Sequence, residues 1–361
     1  MALQDNQGTG KRLFQIRARN RQFDGFDKEH ERTWRGPFTF IASADIQFGM
    51  SAAWDDPTVQ DCEPEVKLMR KGIEKINKMQ PSPRFLVVLG DLIDANPGTA
   101  GSDGQVTSFI EESNRLNPCI PLVCLPGNHD IGDVPTPEDI QSYRNTFGDD
   151  YFAFWVGGVR FIVLNSQLFA DSSKCEEVKR EQDLWLDQQL EDAQSSGCKH
   201  IVVFQHIPWF LKTPEEDNDY FNTDLSKRTP MLKKLHEAGV RIIFSGHYHR
   251  RAGGFYKEME HVVASAWGFP LGEDKSGAYV VKLHYPVWSI IHNLHLNSHK
   301  NVEGRQEVVD PKDLGPLIDR ACAKCRHDGL HCHTRQTRSA DEGQTVIYFC
   351  PSCKHQEIEY S

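Results

Sequence analysis

The sequence runs to 361 residues, with 41 Lys and Arg against 51 Asp and Glu, a formal net charge of -10, and 39% hydrophobic and 10% aromatic residues. Roughly two average domains fit that length, and so much apolar side chain excludes wholesale disorder. The acidic balance excludes general nucleic-acid coating, which needs Lys and Arg in excess, so any nucleic-acid role must be local.

Met1 to Gln15 contain no apolar stretch of the kind a secretory leader carries. Runs such as Phe161-Ile162-Val163-Leu164 fall far short of the ~20 apolar residues that cross a bilayer. The expectation is a soluble, cytoplasmic protein with no membrane partner, its cysteines reduced or metal-bound. Lys11 to Arg35, of mixed charge, reads as an irregular N-terminal arm anchored by a few aromatics, so residues 1–35 are set apart.

From Phe38 onward, apolar runs of about five residues alternate with polar punctuation: Phe38–Ala42, Phe85–Leu89, Pro121–Leu125, His200–Phe204 and Arg241–Phe244. Continuous short apolar runs are the pattern of strands buried on both faces. Between them, Pro64 to Asn77 places Val66, Met69, Ile73 and Ile76 on one helical face. Arg180 to Gln194 does the same with Leu184, Trp185 and Leu190, and Pro230 to Ala238 is a shorter helix. Gly157-Gly158 joins two apolar stretches and signals a hairpin. Gly277 to Leu283 and Trp288 to Leu294 read as strands. The fold class expected is α/β, a layered β-sandwich flanked by helices. Residues 298–316 are polar with Gly and Pro and read as a linker, leaving 36–297 as one domain and 317–361 as a small second one.

Chemistry-bearing residues follow the strands. Asp45-Ile46-Gln47 follows the first, Gly90-Asp91-Leu92-Ile93-Asp94 the second, Gly127-Asn128-His129-Asp130 the third, His206 the fourth, and Gly246-His247-Tyr248-His249 the fifth. Singly these carry little, since a strand-end Asp is commonly a helix cap and a lone His commonly a core residue. Together they converge at the carboxyl ends of buried strands, where α/β folds place ligands. Carboxylates, an amide oxygen and imidazoles are the donor set for divalent cations.

This succession resembles the calcineurin-like metallophosphoesterase superfamily, whose pattern is D-x-H, GDxxD, GNH[DE], a late His and GHxH, over residues 36 to 297. The resemblance implies two divalent metal ions (Mn, Zn, Fe or Mg) bridged by Asp91. One ion would be held by Asp45 and His249 and the other by Asn128, His206 and His247, with His129 as phosphate binder and general acid and Asp130 orienting it. Paired cations clamp phosphoryl oxygens and make hydroxide available at neutral pH; an imidazole supplies the leaving-group proton. Gln47 stands where most of the superfamily has His. Either its harder amide oxygen ligates and shifts preference toward Mn²⁺ or Mg²⁺, or it lies outside the ligand set. Pro126 before the GNHD motif and Asp130 after its His depart from the major Ser/Thr phosphatases, which carry Arg and Glu there. The strings Ala44–Gly49 and Trp34–Phe38 look instead like the small cytosolic calcineurin-like proteins described as Ser/Thr phosphatases, which implies a phosphoprotein substrate. Segments Asp103–Asn117 and Phe210–Thr229 are expected to rim the cleft.

In the last segment Cys322-x2-Cys325 and Cys350-x2-Cys353 are separated by 24 residues. Paired knuckles at that spacing signal one structural Zn²⁺, and so small a piece needs such a staple. Between them Gln336–Thr345 resembles the zinc ribbon of transcript-cleavage factors, above all that of the small zinc-ribbon subunit of RNA polymerase I. The likeness implies that Asp341-Glu342 sits at a hairpin tip aiding RNA cleavage and that Arg338 contacts nucleic acid, with RNA polymerase as partner and a nuclear or nucleolar location added. Three functional readings follow: a phosphomonoesterase acting on proteins, a polymerase-associated transcript-cleavage or elongation module with the phosphoesterase as passenger, and a nucleotide phosphodiesterase using the same metals.

Overall fold

In the computed structural model, the structure describes residues 16–56, 59, 61–285, 288–294, 317–322, 325–335, 345–352 and 356–360. The chain divides into two compact units, Met1–Ser298 and His299–Ser361.

The large unit is built on two sheets. One has the strand order Trp288–Asn293, Tyr279–Leu283, Phe38–Ser43, Leu86–Leu89, Leu122–Leu125, its last three strands parallel. The other runs Ala18–Arg19, Gln22–Phe23, Phe152–Val156, Val159–Val163, His200–Phe204, Val240–Ser245, Met259–Val263, Ala252–Tyr256. Within it the strands from Val159–Val163 to Met259–Val263 are parallel. Alternation explains the unbroken apolar runs. Phe40, Phe85, Val87, Leu89, Phe204 and Phe244 face the seam between the sheets. Ile41, Leu86 and Val88 face a helical layer that includes Val66, Met69, Ile73 and Ile76, and Ile201, Val203 and Ile243 face another with Leu186 and Leu190. Every such residue is buried, so neither face tolerates a polar side chain. The seam is aromatic: Phe40 stacks on Phe85 at 4.9 Å, and Phe161 lies edge-on to Phe85 at 5.1 Å.

Helix Glu63–Asn77 buries the face read from its spacing. Helix Glu176–Ser195 differs: Leu186, Leu190 and Ala193 are buried, whereas Leu184 is 60% exposed. A stripe drawn through Leu184 and Trp185 misses the buried line by about half a turn. The third helix is longer than its apolar pattern, Leu225–Glu237, and carries Pro230 inside it. The hairpin turn has Gly157 and Gly158 at φ 54° and 80°, the type I′ geometry that glycine permits.

The arm expected to be irregular is part of the sheet in its described portion. Gln22 pairs with Ala153 in parallel, Phe23 is buried in the seam with Phe26 packed beside it, and Asp27 caps the short helix Lys28–Glu31. Tertiary contact rather than local periodicity orders it.

In the small unit the strands Leu317–Ala321, Asp328–Arg335, Thr345–Phe349 and Gln356–Tyr360 form an antiparallel meander, the β-ribbon expected. The residues expected as a linker lie outside the described ones.

Candidate metal centre

Asp45, Asp91, His206, His247 and His249 lie in loops leaving the carboxyl ends of parallel strands, and Asn128 opens the short helix Asn128–Ile131 that follows another. Neighbouring loops are laced together by backbone bonds: Asp45 N to Gly90 O at 3.1 Å and Gln47 N to Asp91 O at 2.9 Å. Close approach dictates the glycines. A Cβ on Gly127 would lie 2.0 Å from Asp91 Oδ1, and one on Gly246 would lie 2.7 Å from Asp45 Oδ2.

Two donor sets result, each with ligand atoms within 4.8 Å of one another: Asp45, Asp91 and His249, and Asp91, His206 and His247, all buried. Asp91 belongs to both. His206 Nε2 is bracketed by Asp91 Oδ2 at 3.3 Å and Asn128 Oδ1 at 3.1 Å, close to the ~3.0–3.4 Å edges of a coordination shell with ~2.1 Å ligand bonds. Each imidazole spends its other nitrogen on a backbone carbonyl: His206 Nδ1 on Leu89 O at 2.7 Å, His249 Nδ1 on Phe269 O at 2.6 Å, His247 Nε2 on Tyr220 O at 3.1 Å. That arrangement fixes the tautomer and leaves a lone pair for a cation. Gln47 Nε2 donates to Asp94 Oδ1 at 3.1 Å, while its buried Oε1 has no hydrogen-bond partner. A buried, orphaned oxygen beside these donors fits a metal ligand.

Electrostatics point the same way. Burial raises the Asp45 carboxyl to about 6, against the pull of His249 and His206. Burial acts on Asp91 too, but the His206 and His129 imidazoles outweigh it and hold this carboxyl well below the usual range. His206 is depressed by burial, yet the Asp91 carboxylate wins and pushes it up to about 9. Burial, with His206 beside it, drives His247 down to about 3. One proton shared at Asp91 and His206 therefore stands where a cation would bind, and two buried carboxylates with little positive charge between them call for divalent ions.

His129 differs from the other imidazoles. Its backbone N donates to Asp91 Oδ1 at 3.0 Å, and its ring Nδ1 lies 2.6 Å from Asp94 O and 3.5 Å from Asp94 Oδ1. Burial lowers this imidazole, but Asp91 and Asp94 overcome that and raise it. Asp130, expected to orient the ring, instead accepts from Leu92 N at 3.0 Å and Gly127 N at 2.8 Å. Its oxygens hold the loop backbone, and burial with Asp91 nearby raises its carboxyl to about 7. Asp94 is the residue that meets the His129 ring, chiefly through its backbone carbonyl. The only signal for it in the sequence is the second carboxylate of Gly90–Asp94.

Tyr220 was not singled out by the sequence either. Its hydroxyl lies 3.3 Å from Asn128 Nδ2 and its carbonyl meets His247, so it touches both sides of one donor set while 61% exposed. It falls in the expected rim segment Phe210–Thr229. The other rim segment is instead a helix, Ser102–Ser113, whose Val106, Phe109 and Ile110 are core. Its Gln105 Oε1 accepts from Asp94 N and Ala95 N.

In the ribbon, Cys322, Cys325 and Cys350 form a third donor group. Cys325 Sγ and Cys350 Sγ are 3.6 Å apart, near the ~3.8 Å edge of a tetrahedron with Zn–S of ~2.3 Å. Cys353, Arg338, Asp341 and Glu342 lie outside the described residues. Among the described residues no helix is long and apolar enough to cross a membrane.

The sequence profile of the family described as calcineurin-like phosphoesterase matches residues 38–251, and that of transcription factor S-II (TFIIS) matches residues 320–357. Serine/threonine-protein phosphatase CPPED1 of Bos taurus is 49% identical over 269 residues, covering 73% of this chain and 86% of that protein. DNA-directed RNA polymerase I subunit RPA12 of Bos taurus is 59% identical over 51 residues, covering 14% of this chain and 42% of that subunit. A solved dimetal phosphatase from Danio rerio superposes with a TM-score of 0.50 at 14% identity, over 72% of this chain and 98% of that one, a likeness of fold alone.

Proposed function

The chain belongs to the calcineurin-like phosphoesterase family, and on that premise we propose that it is a dimetal phosphomonoesterase acting on phosphoserine and phosphothreonine in proteins. The observation that carries this reading is the pair of donor sets sharing Asp91. Asp45, Asp91 and His249, with Gln47 Oε1, would hold one divalent ion; Asp91, Asn128, His206 and His247 would hold the other. When bound, such ions supply positive charge to phosphoryl oxygens and acidify water. The amide oxygen of Gln47 favours Mn²⁺ or Mg²⁺ at its side.

The remaining work falls to side chains. His129 Nδ1 is committed to Asp94 O, so Nε2 is the atom that carries a proton to the departing alkoxide. A pKa above the ordinary imidazole value keeps that proton in place at neutral pH. Asp94 is a positioning residue, holding both the His129 ring and the Gln47 amide. Asp130 acts one step further out, on the backbone of the loop that presents Asn128 and His129.

A phosphoprotein substrate is supported by the relative's name and by 49% identity across most of its length. The test is a panel of phosphopeptide, nucleotide and cyclic nucleotide offered to the Mn²⁺-loaded full chain. The phosphopeptide should be hydrolysed with the highest kcat/KM; a cyclic nucleotide preferred over it refutes the assignment in favour of a phosphodiesterase.

For the ribbon we propose one Zn²⁺ held by Cys322, Cys325, Cys350 and Cys353, with Arg338, Asp341 and Glu342 directed at RNA polymerase and its transcript. Its support is the 51-residue likeness to the polymerase subunit, too small a share of the chain to make the phosphoesterase a passenger. We place the catalytic domain at 36–297, a linker at 298–316 and the ribbon at 317–361, in a protein that is cytoplasmic with a nuclear or nucleolar pool. Co-purification of RNA polymerase with the full chain, lost on Asp341→Ala with Glu342→Ala, checks the ribbon's role; equal recovery with the double variant refutes it.

A further inference from the structure

A cavity of about 350 Å³ opens where the strand Gln22–Phe23 meets the strand Phe152–Val156 and the helix Glu176–Ser195, its lining including Arg21, Lys28, Trp155, Arg160, Trp185 and Asp192. Arg160 pairs in register with Trp155 and with Ile201. Ile201 precedes His206 by five residues, about 16 Å along an extended strand, so the cavity lies at the opposite end of the sheet from the metal ligands.

Arg160 is 5% exposed. Its guanidinium donates to Gln189 Oε1, its Nε has no hydrogen-bond partner, and among the described residues no carboxylate forms an ion pair with it. Asp192, the acid lining the cavity, is engaged by Arg32 at 3.4 Å, and Arg21 is already paired with Asp150 at 3.1 Å. The Trp155 ring centroid lies 5.2 Å from the Arg160 guanidinium and 5.1 Å from that of Arg32, and its buried Nε1 is unpartnered. The Arg160 guanidinium, set beside an amide, an indole and a second guanidinium, is a buried charge whose one nearby carboxylate, Asp192, acts on it without an ion pair and is shared with Arg32. Such a charge is costly unless an anion joins it. Lys28, exposed at the cavity wall, adds a second positive charge, and Trp185 adds a ring face.

We propose that this cavity is a second ligand site, separate from the metal centre, for a small oxyanion carrying a planar ring: the anion binds Arg160 and Lys28, and the ring lies against Trp155 and Trp185. Guanidinium recognition of phosphate, phosphonate or carboxylate and cation-flanked aromatic stacking are the chemistries that would select it.

Calorimetric titration of the Mn²⁺-loaded full chain with phenylphosphonate tests this. Wild type should take up two molecules per chain, one at the metals and one here. Arg160→Met should take up one while keeping its p-nitrophenyl phosphate kcat, and Asp91→Asn should retain the distal molecule. Uptake of a single molecule by wild type that Arg160→Met leaves unchanged overturns the site, as does complete loss of binding in Asp91→Asn. If Arg160→Met does not fold, Trp185→Ala and Lys28→Ala decide. Each should weaken the distal event at least tenfold, and unchanged distal affinity in both refutes the proposal.

Discussion

Asp91→Asn is the most searching perturbation of the metal centre, because it removes one charge from both donor sets without changing the residue's size. Asp91 is buried in both groups, with Oδ1 accepting from His129 N at 3.0 Å and Oδ2 3.3 Å from His206 Nε2. An amide placed there satisfies the same contacts. Its oxygen accepts from His129, and its nitrogen donates to His206, which no longer carries the proton that the carboxylate imposed. The fold should therefore survive, with an unchanged far-UV circular dichroism spectrum. Metal binding should not. The carboxylates available to two divalent ions fall from Asp45 and Asp91 to Asp45 alone, and the set with His206 and His247 loses its only one. A neutral amide oxygen is also a far weaker bridge between two cations than a carboxylate, because it brings no charge to either. Loss of one preorganised electrostatic contact costs about 10²–10³ in turnover, and here both ions are weakened, so kcat/KM for p-nitrophenyl phosphate under Mn²⁺ should fall by at least ~10³. Metal analysis should find one Mn²⁺ or fewer in the large unit. Near-wild-type turnover with two ions retained would refute the shared-carboxylate reasoning.

His129→Ala should reduce kcat by about 10²–10⁴, the range for a lost general acid, while both metals stay bound; simultaneous metal loss makes His129 a ligand instead. Asp94→Ala should shift the alkaline limb of the kcat profile to lower pH, since Asp94 helps raise the His129 imidazole; an unmoved limb leaves Asp94 with only a structural role. In the chelated protein His206 is raised to about 9, so its stabilising contribution is complete below an ordinary imidazole pKa and is lost as pH rises through the folded value. The melting temperature of EDTA-treated protein should accordingly fall between about pH 6.5 and 9, and Mn²⁺ should abolish the slope; a flat profile without metal contradicts the Asp91–His206 pairing. Cys322→Ser should lower zinc content by one per chain and leave p-nitrophenyl phosphate turnover untouched, and loss of that turnover would mean that the two units depend on each other.

The strands could be read from sequence because both of their faces are buried. Phe40 and Ile41 point to different layers, yet both are apolar, so the run needs no tertiary knowledge to be seen. Asp45, Asp91, Asn128, His206, His247 and His249 stood out because each follows such a run. Elements ordered only by distant contact did not. Phe23, in a two-residue strand, and Phe26, in the turn after it, carry no period, and what holds them is the aromatic seam. Asp130 was expected to orient His129 because it adjoins it in sequence; the backbone shows Asp130 spent on Leu92 N and Gly127 N, while Asp94, 35 residues away, meets the ring. Tyr220 reaches the site from a loop 27 residues from His247, a separation on which local pattern is silent.

Backbone conformation adds something that side-chain chemistry alone does not. Among the described residues nine non-glycine residues have positive φ, and Asp45, Gln47, Asp91, His247 and His249 are five of them, at 51°, 48°, 51°, 68° and 54°. Asp and His visit this region more readily than most residues. Gln has no such leaning, and positions of this kind cost about 1–3 kcal/mol unless the surroundings fix them. The surroundings do so here: Gln47 N is bound to Asp91 O, and its amide is bound to Asp94. The two alternating motifs, Asp45-Ile46-Gln47 and His247-Tyr248-His249, share the device, with left-handed residues on both sides of a middle residue. Each reverses the chain as it leaves its strand and returns both flanking side chains to the same donor cluster. A Gln held in that conformation by two bonds to the neighbouring loop, with its Oε1 buried and unpartnered, is oriented for a purpose that packing does not supply. The strain, the orphaned oxygen and the adjacent donors together make ligation the reading of Gln47 that leaves none of its features without a cause.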